Sequence, residues 1–183
     1  MATIKVNKTE AARRQIDTAI RILFRNEDPV AVHTLAMAAF RVMRDLAVKH
    51  DESYMNALIK AMLKPGMEKE FWKAIHGPAN FLKHADNDPD GVLDNIEEEI
   101  NEHILFIDGL FYQDLGNKLS SEMQTLQAWY IAIHPEYIRA DAPKSFKEDI
   151  MQHGSFLRNK SRREQLEMGS NLLELAKSQR FKS

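Results

Sequence analysis

The chain has 183 residues, 44 % of them hydrophobic and 28 % charged, and a formal net charge of -2. That length supports one buried core and one domain, and the balance of apolar to charged residues excludes wholesale disorder. A near-neutral charge gives no global positive field for nucleic acid or anionic membrane, and the lack of any Cys excludes disulfides, thiolate metal sites and cysteine nucleophiles.

No apolar run approaches the ~20 residues of a membrane-spanning helix. The opening stretch, MATIKVNKTEAARRQ, lacks the apolar core of a signal peptide. A cytoplasmic location is the expectation. Asn7 with Glu10 forms a capping-box-like start, and Ile16, Ala19, Ile20 and Leu23 follow at helical spacing. Asp28 suits an N-cap with Pro29 at the first helical position. The second helix then runs to about Lys49 with Leu35, Ala36, Ala39, Met43 and Leu46 on one face. Its small Ala residues permit close helix approach, which places it near the core centre.

The residues 50–53 read as a turn, 54–63 as a short helix ended by Pro65-Gly66, and 67–76 as another stopped by Gly77-Pro78. A short helical piece, 79–85, leads into an acidic loop. A long helix is expected from Asp94 to about Leu115, striped by Ile96, Ile100, Ile104, Ile107 and Phe111. Ser120 or Ser121 starts the next, which ends at His134-Pro135. The segment 139–144 is the most linker-like, and Ser145 with Glu148 and Ser161 with Glu164 form two further capping boxes. No alternating run rich in Val, Ile or Thr predicts a strand. The product is an all-α, single-domain bundle of roughly seven to nine helices. Residues 139–183 form a C-terminal extension that packs on the bundle or on a partner subunit.

The chemistry concentrates at 80–97. Asp86, Asp88, Asp90, Gly91, Asp94 and Glu97 meet the EF-hand loop pattern D-x-[DN]-x-[DN]-G-x5-E at every specified position. Calcium wants six to eight oxygens, and carboxylates at alternate loop positions with a chelating Glu on the outgoing helix supply them. Against this, Pro89 removes an amide N–H within the loop, and no second loop exists to pair with it. The preferred alternative is a solvated acidic turn in which Asp86 and Asp88 cap amides and Asp94 caps the long helix.

Asn80-Phe81-Leu82-Lys83-His84-Ala85-Asp86, with Asp88-Pro89 behind it, resembles the signature of a family of uncharacterised bacterial all-helical proteins. The stretch 28–35, followed by Arg44-Asp45-Leu46, resembles the second helix of the same family, so the resemblance covers roughly the first 100 residues. The family is similar to HEPN-type bundles, and the resemblance implies a helical fold, no assigned activity and no calcium site. HEPN ribonucleases place a polar residue after an Arg and a His four to six positions beyond it, and Arg44-Asp45 with His50 fits that spacing. The resemblance then implies that Arg44 stabilises charge on phosphate while His50 moves the 2′-hydroxyl proton. One such pair is expected by chance in a chain of this composition, and a surface Arg with a helix-end His is the simpler reading. Asn80 stands where an Arg would be needed ahead of His84.

Glu99 and His103 share a helix face and offer two metal ligands, though a solvated pair is simpler. His33 reads as a hydrogen-bonded interior residue, His76 as a helix-end residue, and the basic tail after Lys177 as a frayed end. The sequence therefore points to a cytoplasmic binding or assembly protein that forms a homodimer, in which the segment 80–88 shapes either a structural loop or a small-molecule site at Asn80, Lys83, His84, Asp86 and Asp88. Lys83 and His84 face an anion there, and the two Asp fix the loop. RNA cleavage through Arg44 and His50, and calcium binding through Asp86, Asp88, Asp90, Asp94 and Glu97, are the alternatives.

Overall fold

The computed structural model describes residues 3–63, 66–84, 86, 88–94, 96–138 and 142–180, with backbone alone at 52, 54–56, 58, 59, 61, 62, 153 and 180. Pro65, the 139–141 part of the linker and the end of the basic tail lie outside the described residues. Seven α-helices follow in order: α1 (Lys8–Phe24), α2 (Pro29–Met62), α3 (Glu68–Phe81), α4 (Glu98–Asp114), α5 (Ser121–Ile133), α6 (Lys144–Arg158) and α7 (Arg162–Arg180). A 3₁₀ turn, Pro135–Tyr137, follows α5, and no strand occurs among the described residues. No described helix is long and apolar enough to cross a membrane.

Capping chemistry sets several boundaries. Asn7 accepts the Glu10 amide at 2.8 Å, and Asp28 accepts the Val30 amide at 2.8 Å with Pro29 behind it. Between them Asn26 turns the chain at φ 54°, a left-handed conformation Asn tolerates. Ser120 accepts the Met123 amide at 3.1 Å, and Ser161 and Glu164 close a reciprocal box, with the Ser161 amide donating to Glu164 at 2.9 Å.

Four boundaries differ from the sequence expectation. The turn at 50–53 shrinks to one residue: Asp51 alone leaves helical geometry (φ -161°, ψ 98°) and helix continues on both sides. Gly77-Pro78 does not stop α3, which winds on to Phe81. Pro78 forfeits one backbone bond, but its ring fits helical φ, and burial of Pro78 and Ala79 against the core holds the turn. The long helix begins at Glu98 rather than Asp94, with Glu97 in extended geometry at its N-cap and no side-chain cap. Ser145 does not cap α6 either; Pro143 occupies that position, and Glu148 pairs with Lys144 at 3.6 Å.

The core gathers around α4. Its residues Ile104, Leu105, Phe106, Ile107 and Phe111 are all buried, so this helix is covered on every side. On one side α1 and α2 form a hairpin that brings Ile16, Ile20, Met37, Phe40 and Met43 inward. On the other, α5 contributes Met123, Leu126, Trp129 and Tyr130, and carries α6 and α7 on its outer face. Thus 144–180 packs on the bundle of its own chain. The approach is close: Gly169 lies directly against the Phe24 ring, where a Cβ would collide, and Gly154 lies against the Ala132 carbonyl. Phe24 meets Trp129 edge to face at 5.3 Å, and Trp129 Nε1 donates to the Gln165 carbonyl at 2.7 Å.

Candidate functional site

Helices α2 and α3 present a cationic strip. On α3, Trp72, His76 and Asn80 follow one another at spacings of four, which places them on one face, and Lys83 stands in the turn just past the helix end, its amide donating to the Asn80 carbonyl at 3.1 Å. Arg41 and Arg44 stand one turn apart on α2. The two sets meet where Arg41 Nη2 donates to Asn80 Oδ1 at 3.2 Å. His76 lies parallel to the Trp72 indole, with centroids 5.3 Å apart and planes 8° apart, and Trp72 in turn packs against Phe40 in the core.

The electrostatics of His76 register this gathering. Its pKa falls below the usual histidine value, first through burial and then through Arg44, Arg41 and Lys83. Lys83 is lowered in turn by desolvation and by Arg41. Arg41, His76 and Lys83 have no carboxylate partner among the described residues, and Arg44 has only its neighbour Asp45 at 3.4 Å. A half-buried imidazole whose charged form is disfavoured by three nearby cations is an arrangement that gains from an anion.

Beneath the strip, His33 is fully buried and its Nδ1 meets Asn101 Oδ1 at 2.8 Å, while Asn101 Nδ2 donates to the Pro29 carbonyl at 3.1 Å. Because a carbonyl can only accept, Asn101 is oriented with its oxygen toward His33. His33 Nδ1 therefore carries the hydrogen, and Nε2 is bare and without a partner in the neutral ring. Burial lowers the pKa of His33, against the opposing pull of Asn101 and the Ile75 backbone. This chain of bonds ties α2 to α4 directly behind α3.

The other sequence candidates fall as follows. Asn80 and Lys83 belong to the strip. His84 is exposed, its amide donating to the Asn80 carbonyl at 3.1 Å. Asp86, Asp88, Asp90, Asp94 and Glu97 are all exposed. Asp88 and Gly91 close a tight turn, the Gly91 amide donating to the Asp88 carbonyl at 3.2 Å, and a Cβ on Gly91 would run into the Asp88 carboxylate. Among the described residues no three His, Asp or Glu side chains converge as a metal site. Arg44 is half-buried, and His50 is exposed next to the break at Asp51. Six helical residues leave their side chains about 120° apart around the axis. Arg44 is instead close enough to His76 to disfavour its protonation.

Two polar groups deep in α4 gave no signal in the sequence. Glu102, 1 % exposed, pairs with Arg162 at the start of α7, and Arg162 also lies over the Trp129 ring at 5.5 Å. Burial raises Glu102 to about 7 despite Arg162. Asp108 is fully buried with neither oxygen hydrogen-bonded, and burial alone lifts its pKa well above the usual carboxylate range. His103 accepts or donates at Tyr130 Oη across 2.6 Å, and burial followed by His134 lowers it to about 4. Glu99 stands close enough to oppose that shift, without joining a ligand cluster.

Fold and strip together define an all-helical bundle with one cationic face. No family model matches the chain, and no curated protein or solved structure matches it either.

Proposed function

We propose that this is a helical binding and assembly protein whose α2–α3 face receives an anionic group. The observation that carries the reading is the gathering of Arg41, Arg44 and Lys83 about the Trp72–His76 stack, joined by the Arg41–Asn80 bond, with Asp45 the one carboxylate paired to any of them among the described residues. A guanidinium offers a planar fork of donors to carboxylate or phosphate oxygens, and Asn80 holds one such fork in place. The Trp72–His76 stack gives the face a rigid floor, so little side-chain freedom remains to be lost on binding.

Inorganic pyrophosphate is a suitable probe, read by the fluorescence of Trp72 against that of buried Trp129. The expected result is a saturable, salt-weakened change that Arg41→Ala and Lys83→Ala each reduce about tenfold in affinity, as loss of one charge-assisted bond implies. A response unaltered by both substitutions would remove the reading.

A ribonuclease using Arg44 and His50 is the second reading: the place of Arg44 in the cationic strip supports it, while the splay of about 120° between the two side chains on α2 weighs against it. Cleavage of single-stranded RNA that His50→Ala abolishes, with binding intact, is its signature. RNA left uncut by protein at micromolar concentration ends it.

A further inference from the structure

We propose that the anion received by the α2–α3 face is the carboxylate-rich segment 86–99 of a second copy of this chain, the two copies forming a two-fold dimer. The inference rests on reading that face as an anion site. Its second support is the distribution of charge. Between Lys83 and Lys118 the chain contains no Lys or Arg, while Asp86, Asp88, Asp90, Asp94, Glu97, Glu98 and Glu99 crowd the first part of that interval. None of these seven carboxylates makes an ion pair among the described residues. The chain thus carries an unpaired cationic face and an unpaired anionic segment, with a net charge of only -2.

The strip leads directly into the acidic segment, Lys83 lying three residues before Asp86. A two-fold interface brings each patch of one copy onto the other patch of its partner, so adjacent patches of opposite sign are self-complementary. Exposed ion pairs alone are weak. Three large apolar side chains lie exposed on the same elements: Val30 at 38 %, Phe81 at 36 % and Val92 at 78 %. Such side chains are available to add apolar contact to the charged one.

Charge-reversed variants test this by sedimentation equilibrium. Wild-type protein is expected to dimerise at about 50 mM salt and to weaken at least tenfold at about 500 mM. Arg41→Glu with Lys83→Glu in one chain, and Asp90→Lys with Asp94→Lys in another, each remain monomeric and folded by circular dichroism. Mixing the two restores a one-to-one heterodimer, because each reversed patch then meets its reversed counterpart. Wild-type protein that is monomeric throughout yet binds pyrophosphate at Arg41 overturns the dimer and leaves the anion site standing. A monomer indifferent to pyrophosphate overturns both. A dimer insensitive to either reversal lies on another surface and overturns the proposal.

Discussion

Asp108 offers the sharpest test of the interior. It sits on the central helix with no exposed surface and no partner for either oxygen, and burial pushes its pKa far upward. The folded protein therefore holds this carboxyl protonated at pH values where the unfolded chain, with an ordinary Asp pKa near about 3.9, has released the proton. Since the folded state binds the extra proton, stability is fully present below the unfolded pKa and is lost as pH rises toward the folded one. The slope is about 1.4 kcal/mol per pH unit for one proton. Asp108→Asn keeps the shape and titrates nowhere. Relative to wild type, the variant gains about 1.4 kcal/mol for each pH unit above about 5 over which the folded carboxyl keeps its proton, or about 3–6 °C per unit in melting temperature for a chain of this size. Urea unfolding of both proteins, followed by circular dichroism across that range, measures the difference directly. The amide is as badly satisfied as the acid, at a cost of about 1–3 kcal/mol that does not vary with pH, so the slope and not the level carries the argument. A stability difference that stays constant with pH would show that Asp108 is ionised or hydrogen-bonded in the fold, and the reasoning would fail.

Glu102, raised to about 7 by burial, has the same sign: its contribution is present below about pH 4.5 and lost as pH rises through about 7. Glu102→Gln should therefore gain about 3 kcal/mol on wild type across that window and run parallel to it above, and parallel curves throughout would contradict the shift. Gly169→Ala drives a methyl group into the Phe24 ring. The expected loss is about 1–2 kcal/mol, overpacking outweighing the helix-propensity gain of about 1 kcal/mol. A stabilised variant would mean that α7 rides higher over α1 than described. Millimolar calcium added to EDTA-stripped protein should move the melting temperature by less than about 1 °C, as the described carboxylates do not converge. A one-site calorimetric isotherm that Asp86→Asn and Glu97→Gln each abolish would reverse that expectation.

The helical fold was legible because its punctuation is local. Asn7, Asp28-Pro29, Ser120 and the Ser161–Glu164 box act within three or four residues of themselves, so the sequence displays both partners. Pro78 misled for the converse reason: a buried face held the helix together across it, and burial is not a local property. That error hid the cationic strip. With the helix broken at Gly77-Pro78, Trp72 and His76 fall in one element and Asn80 and Lys83 in another, and the spacing that aligns them disappears. Asn80 and Lys83 were recognised as polar candidates, whereas His76 was read as a helix end and Arg41 passed unnoticed. Asp108 and Glu102 were invisible because the stripe from Ile100 to Phe111 suggests one buried face. The opposite face is buried as well once α5 packs on α4 from later in the chain and Arg162 of α7 reaches Glu102.

That late arrival has a consequence for synthesis. Helices α1 and α2 are neighbours in sequence and can pair as soon as both emerge, but Phe24 is covered by Gly169 and Trp129 by Arg162 and Gln165, all of them on α7. A ribosome that has released α1 to α6 still retains the helix that closes this side. For that interval the nascent chain shows an aromatic edge to solvent or to a chaperone, and the indole N–H waits for the Gln165 carbonyl that α7 brings.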